Sequence, residues 1–329
     1  MIQPRLLTPD NTHLSEPKNP TLAATQSSFC AINCTPQVAG FLAASLAEST
    51  TMAYRADLAH FVSWGGCIPA SPDLVAKYLA AHADALAPAT LVRRLASISK
   101  AHRVAGLPTP AAAEIVRATL RGIKRARRTA QRQAAPLLRD DLGLVVDRMD
   151  DSVKAARDRA LLLMGFAGAL RRAELVALNV ADLDRVKQGI VLHLRRSKTD
   201  QEGHGETIGI PFGRTRWCPV TALDRWLSRA GISGGPIFRP VDRHGRIPEA
   251  RLSAEAVSCV VKKRVAAAGF EPAGYSGHSL RSGFATSAAQ AGIATWIIRR
   301  QTRHASDAML ARYIRTGELF IGNAAGALL

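Results

Sequence analysis

Apolar positions recur at helical spacing through most of the chain. Behind Ser49 to Thr51, which can cap a helix start, Tyr54, Leu58 and Phe61 fall on one face. Ser71-Pro72-Asp73 opens a second helix carrying Leu74, Val75, Tyr78 and Leu79, because serine accepts from the first free amides and proline is tolerated in the first turn. A third follows Thr90, with Leu91, Leu95 and Ile98 aligned and Gly106 as its stop. Thr109-Pro110 opens a fourth, carrying Ile115, Val116, Leu120 and Ile123. The pattern predicts a small all-helical domain over 37–124, behind a flexible tail at 1–36.

After Pro136 one stretch changes period. Ile190, Leu192 and Leu194 alternate with Val191, His193 and Arg195, the segment 200–206 turns, and Thr207 to Pro211 returns as a second strand. Helices resume at Val220 to Leu227 and continue to the end. The expected fold class is mainly α: a helical N-terminal domain, a basic linker at 125–137, and an α+β domain with a small hairpin at 138–329. The longest apolar run, Ala160 to Leu170, falls well short of the ~20 residues that a membrane span needs and reads as a buried helix. The first 36 residues have the composition of neither a signal peptide nor an anchor.

Charge narrows the class of partner. In 329 residues, 44 Lys and Arg stand against 26 Asp and Glu, a formal net charge of +18 that calls for a polyanion. The basic residues cluster: Arg117, Arg121, Lys124, Arg125, Arg127, Arg128 and Arg132 follow one another without an intervening acid, and like charges this dense are unfavourable without a counter-anion. With Arg93, Arg94, Lys100 and Arg103 of the third helix, the residues Arg121, Lys124, Arg127 and Arg128 are the expected contacts to DNA phosphates. The cysteines Cys30, Cys34, Cys67, Cys218 and Cys259 are scattered and form no zinc pattern, so they read as reduced thiols of a cytoplasmic protein. A Gly-Lys-Ser/Thr phosphate loop is absent, and neither metal nor nucleotide cofactor is expected.

Four separated segments carry candidate chemistry: Gly168-Ala-Leu-Arg171-Arg-Ala-Glu174, Arg196-Ser-Lys198-Thr, Gly277-His278-Ser-Leu-Arg281, and His304 followed by Tyr313. Two guanidiniums can hold the charge that spreads over the non-bridging oxygens when a phosphodiester is attacked. A tyrosine, with an ordinary pKa near ~10, needs neighbours that take its proton, and His278 and His304 are the available groups.

In order and spacing these segments resemble the tyrosine site-specific recombinases of the phage integrase family, over about residues 40 to 329 and in the Cre-like two-domain arrangement. The resemblance implies a SAM-like core-binding domain followed by the tyrosine recombinase catalytic fold. It makes Arg171 the first catalytic arginine, because the family's arginine stands three residues before the acid matched by Glu174, which supports the site; Arg172 is its neighbour to test. Lys198 matches the hairpin lysine that acts as general acid, His278 and Arg281 the H-x-x-R box, His304 the second histidine, and Tyr313 the nucleophile. The chain departs from the family's pattern where Leu-Gly usually precedes the second histidine and Thr302-Arg303 stands here, and where threonines before the tyrosine are replaced by Met309 and Leu310. These departures are expected to touch packing rather than the reacting groups.

The implied partners are double-stranded DNA recombination sites, a homo-tetramer formed on DNA, accessory DNA-bending proteins, and no membrane. Leu319, Phe320, Ile321, Leu328 and Leu329, beyond Tyr313, are too apolar to remain in water and are expected to dock into a neighbouring protomer. Two other readings stay open on residues alone: a type IB topoisomerase-like activity that rejoins the original strand, and a catalytically silent DNA-binding regulator. Intact Tyr313, Arg171 and Arg281 argue against the second.

Overall fold

The computed structural model describes residues 48–127, 134–195 and 205–304, with positions 306, 310, 311 and 313. The chain divides into two compact units, 1–132 and 133–329.

In the first unit, α1 (Glu48–Ser63), α2 (Pro72–Ala81), α3 (Pro88–Val104) and α4 (Glu114–Arg127) enclose a core of Phe61, Val75, Tyr78, Leu79, Leu91, Ile98 and Val116. The Ser71 side chain caps α2 by accepting from the Leu74 amide, as the Ser-Pro-Asp signal predicts. Three boundaries differ from the sequence reading. Helix α1 already runs at Glu48, so Ser49 to Thr51 are helical; α3 starts at Pro88, ahead of Thr90; and Thr109-Pro110 opens only a 3₁₀ turn, Pro110–Ala112, before α4 begins at Glu114. Glu114 at the head of α4 pairs with Arg117 and Arg121, placing a carboxylate at the positive end of the helix and giving the basic run an acid partner.

The second unit is built around α6 (Val153–Ala167), whose Ala160, Leu161, Leu162, Leu163 and Met164 are all buried. Around it lie α5 (Arg139–Asp147), α7 (Arg172–Ala177), α8 (Pro219–Ala230), α9 (Ala254–Ala267), α10 (His278–Gln290) and α11 (Thr295–Thr302). A three-stranded antiparallel sheet, in the order β1 (Leu183–Val186), β2 (Gly189–Leu194), β3 (Glu206–Pro211), contains the expected hairpin. Leu192 faces Ile208 across the β2/β3 pair, and Ile190, Leu192, Leu194, Ile208 and Ile210 are buried, so the alternation turns one face inward. Each such side chain contributes roughly 1.5 to 3 kcal/mol of transfer free energy. Strand β1 escaped the sequence reading because three of its four residues are exposed and leave no alternation to detect.

Close backbone approach fixes the helix that carries the H-x-x-R segment. A Cβ on Gly283 of α10 would run into the carbonyl of Leu137, and the Leu137 amide donates to Ser279 O at 3.0 Å. Only glycine lets the two backbones meet there. Among the described residues, no helix is long and apolar enough to cross a membrane.

Candidate active site

The site forms where the loop after α6, the start of α7, the start of α10 and the end of α11 converge. Helix α6 stops at Gly168, and the next residue, Ala169, takes a left-handed conformation with φ 45°. That turn presents the Ala169 carbonyl to Arg281, which donates from Nη1 at 2.8 Å. Arg281 is 2% exposed, an uncommon burial for a charged group. Arg171 is the N-cap of α7: its amide donates to Glu174 Oε2 at 2.9 Å and its Nη1 to Glu174 Oε1 at 2.5 Å. The neighbouring Arg172 is exposed.

At the nucleophile, His278 Nε2 lies 2.8 Å from the Tyr313 hydroxyl, and the His304 and Tyr313 ring centroids are 5.7 Å apart. Leu310 is fully buried beside Ala285, Ala289 and Ile298, in the apolar cluster against which Tyr313 packs. Met309 and Lys198 lie outside the described residues, as do Arg128, Cys30, Cys34, the 1–36 tail and everything beyond Tyr313.

Desolvation, then repulsion from Arg281 and Arg171, holds His278 below the usual imidazole range. The same two causes, in the same order, bring His304 down to about 4. Both rings are therefore neutral at neutral pH and able to accept a proton. Burial, followed by the fields of Arg171 and Arg303, pulls Arg281 down to about 10. For Glu174, burial alone would raise the pKa, but Arg303 and the hydrogen bonds from Arg171 outweigh it and keep the carboxyl ionised.

The departures at 302 and 303 do not merely pack, and that expectation is corrected. His304 Nδ1 is 2.7 Å from Thr302 Oγ1, whose proton goes to the Ile298 carbonyl at 2.8 Å. Nδ1 thus carries the ring proton and Nε2 is left as an acceptor. Arg303, its side chain 6% exposed, donates from Nη2 to Glu174 Oε2 at 2.6 Å. Motif matching missed Arg303 because its partners Glu174 and Gly168 are set by the fold, and Thr302 because its contacts to His304 and Ile298 belong to no motif; the one available signal was an arginine where the related pattern has glycine.

The expected DNA contacts are distributed unevenly. Lys100 is half-buried, while Arg103 and Lys124 are exposed. Arg121 pairs with exposed Glu114, and Arg127 stands 3.5 Å from fully exposed Asp84. Arg93 reaches Asp57 at 2.8 Å with its side chain still 52% exposed. Arg94 is turned inward, 11% exposed, donating to the Tyr78 hydroxyl at 3.0 Å and contacting His60. The free cysteines described are Cys67, Cys218 and Cys259.

A helical unit followed by a mainly helical unit whose arginines, histidines and tyrosine converge defines a DNA strand transferase that works through a tyrosine. Residues 137–318 match the phage integrase family. The chain is 42% identical over 292 residues to the integrase/recombinase XerD homolog of Selenomonas ruminantium, covering 85% of each chain. It is 29% identical over 245 residues to the Cre recombinase of Escherichia phage P1, covering 68% of this chain and 70% of that one. Among solved structures it is similar to a lambda integrase dimer bound to a COC′ core site, with TM-score 0.59, 18% identity and coverage of 89% of this chain and 85% of that chain. The chain belongs to the phage integrase family and is a tyrosine site-specific recombinase. These relatives favour neither the topoisomerase-like nor the silent-regulator reading.

Proposed function

We propose that Tyr313 is the nucleophile of a strand exchange between two double-stranded DNA sites, with the following division of roles. Arg171 and Arg281 hold the non-bridging oxygens of the scissile phosphate, where preorganised donors act on developing charge. Neutral His278 accepts the phenolic proton as the tyrosine oxygen bonds to phosphorus, and the 5′ oxygen leaves with a proton from Lys198. The product is a 3′-phosphotyrosyl bond and a free 5′ hydroxyl; attack by the partner site's hydroxyl reverses the step. His304 is a second acceptor beside the phenol and becomes a donor to the phosphate when charged. Neither metal nor nucleotide enters the scheme.

The observation that carries this reading is the 2.8 Å contact between His278 Nε2 and the Tyr313 hydroxyl. Lys124, Arg127, Arg128, Arg103, Lys100, Arg121 and Arg93 supply phosphate contacts; Arg94 is left out because its guanidinium is engaged within its own unit. Protomers assemble as a tetramer on DNA in the bacterial cytoplasm, each passing its C-terminal tail to a neighbour, with accessory DNA-bending proteins where the sites require them.

The test is covalent capture from a randomised pool of nicked duplexes. The wild-type chain should retain a defined sequence through a protease-sensitive, alkali-stable link, in the presence or absence of EDTA. Tyr313→Phe should retain none while shifting the recovered duplex in a gel with unchanged affinity. Covalent product from Tyr313→Phe, or loss of capture in EDTA, would overturn the scheme.

A further inference from the structure

Among the described residues, only Ala169 and Arg303 adopt positive φ without being glycine. Both lie in the site. Ala169 delivers its carbonyl to Arg281, whereas Arg303, at φ 54° and ψ 45°, ends α11 immediately before His304. The left-handed region disfavours every side chain at a helix end except glycine, which is the residue the related pattern has there. An arginine at such a position directs attention to what its side chain holds.

That side chain reaches three separate pieces of the unit. Nη2 donates to Glu174 Oε2 at 2.6 Å, and Nη1 donates to the Gly168 carbonyl at 3.2 Å and the Gln301 carbonyl at 2.9 Å. Nε is 3.1 Å from Glu206 Oε2, at the first residue of β3, the return strand of the hairpin. The Arg303 carbonyl faces Arg171 Nη2 at 3.4 Å. With three of its five N–H groups donating, its side chain 6% exposed and two carboxylates within 3.1 Å, this guanidinium is not presented to a phosphate. Glu174, with a side chain 3% exposed, would otherwise be a buried carboxylate held by Arg171 alone.

We propose that Arg303 is a positioning residue: through Glu174 it fixes the guanidinium of Arg171, and through Glu206 it ties the hairpin strand to the same point. This rests on the reading of Arg171 as a phosphate-holding arginine. Shared between two cations, Glu174 orients Arg171 without neutralising it, and Arg171 remains charged toward the substrate.

The experiment uses the full chain and the nicked duplex recovered by covalent capture on the wild type. Arg303→Gly suits the left-handed backbone and deletes only the side chain. The expected result is a melting temperature lowered by the loss of buried donors to Glu174 and to the Gly168 and Gln301 carbonyls, unchanged affinity for the duplex, and single-turnover formation of the covalent complex slowed roughly 10- to 100-fold, as for other supporting contacts to a reacting group. Arg303→Lys should recover part of the rate, and adding Arg303→Gly to Arg171→Ala should cost little more, because both act through one guanidinium. A purely structural role would lower melting and affinity together and would multiply with Arg171→Ala. An undiminished rate in Arg303→Gly, or losses that multiply in full, overturns the proposal. If Arg303→Gly does not fold, Arg303→Met in the same assay decides, with a wild-type rate again overturning it. Tyr313→Phe is run alongside: covalent product there refutes the nucleophile assignment and leaves the Arg303 comparison to be read by itself.

Discussion

Replacing Arg281 by methionine separates catalysis from stability, because two opposing terms nearly cancel in the free protein. The unbranched side chain fills most of the space of the arginine stem, so no large cavity opens. The Ala169 carbonyl loses its 2.8 Å donor in a buried place, a cost of roughly 1 to 3 kcal/mol. Against this, burial and then the fields of Arg171 and Arg303 already disfavour the charge on Arg281 enough to bring its pKa down to about 10. Removing the charge returns about 3 kcal/mol of that penalty. The two nearly offset, and the melting temperature of the DNA-free protein should move by only a few degrees. The reaction has no such compensation, since a preorganised donor to the transition state is gone. The rate of covalent capture should fall on the order of 10²- to 10³-fold. Calorimetry of the free protein together with single-turnover capture on the recovered duplex provides the measurement. A variant that unfolds early and cleaves normally would show that Arg281 is a structural cation and not a phosphate ligand.

Three further outcomes follow from the same physical picture. Replacing Lys124, Arg127 and Arg128 together by alanine should weaken binding to specific and unrelated duplexes alike and flatten the salt dependence by roughly 0.9 per lost contact; an unchanged slope in titrations from low to moderate salt would return them to ordinary surface charges. His304 has a folded pKa of about 4 against an unfolded value near ~6.5, so between these pH values the unfolded chain binds more protons and stability must fall as pH falls. Urea unfolding of wild type and His304→Gln should therefore show the wild type losing up to about 3 kcal/mol relative to the variant across that window, and a constant difference would refute the neutral buried ring. Truncation after Gly317 should leave cleavage of a single site intact but abolish the tetrameric synapse in sedimentation with DNA, and normal recombination by the truncated chain would refute docking of the tail between protomers.

Much of the site was legible in the sequence because a phosphodiester constrains residue types. Arginines, histidines and a tyrosine in a fixed order can be recognised without coordinates, and the position of Glu174 pointed to Arg171 over Arg172. The hairpin was legible because Ile190, Leu192 and Leu194 recur at every second position, alternating with Val191, His193 and Arg195, and α2 because Ser71 and Pro72 are local signals acting on their own backbone. Strand β1 was not, since its pairing is supplied by β2 and its own residues lack a buried face. Nor was the 3₁₀ turn at Pro110–Ala112 or the early start of α1, because helix ends fray into short 3₁₀ turns and local cap signals fix a boundary only loosely. The inward turn of Arg94 was equally hidden: its partners Tyr78 and His60 belong to other helices, and a basic residue in a basic run gives no sign of being spent internally.

The sequence by itself determined which chemical groups are present and in what order, because nucleophile, proton acceptors and cations are properties of side chains. It also determined the helical and strand periods that place them on elements. Only the tertiary structure decided how those groups are held. The left-handed turns at Ala169 and Arg303, the sharing of Glu174 between Arg171 and Arg303, and the low proton affinity of His304 all depend on burial and on contacts between residues as far apart as 168 and 303. Electrostatic energies in a buried site are set by distance and dielectric, and neither exists until the chain has folded.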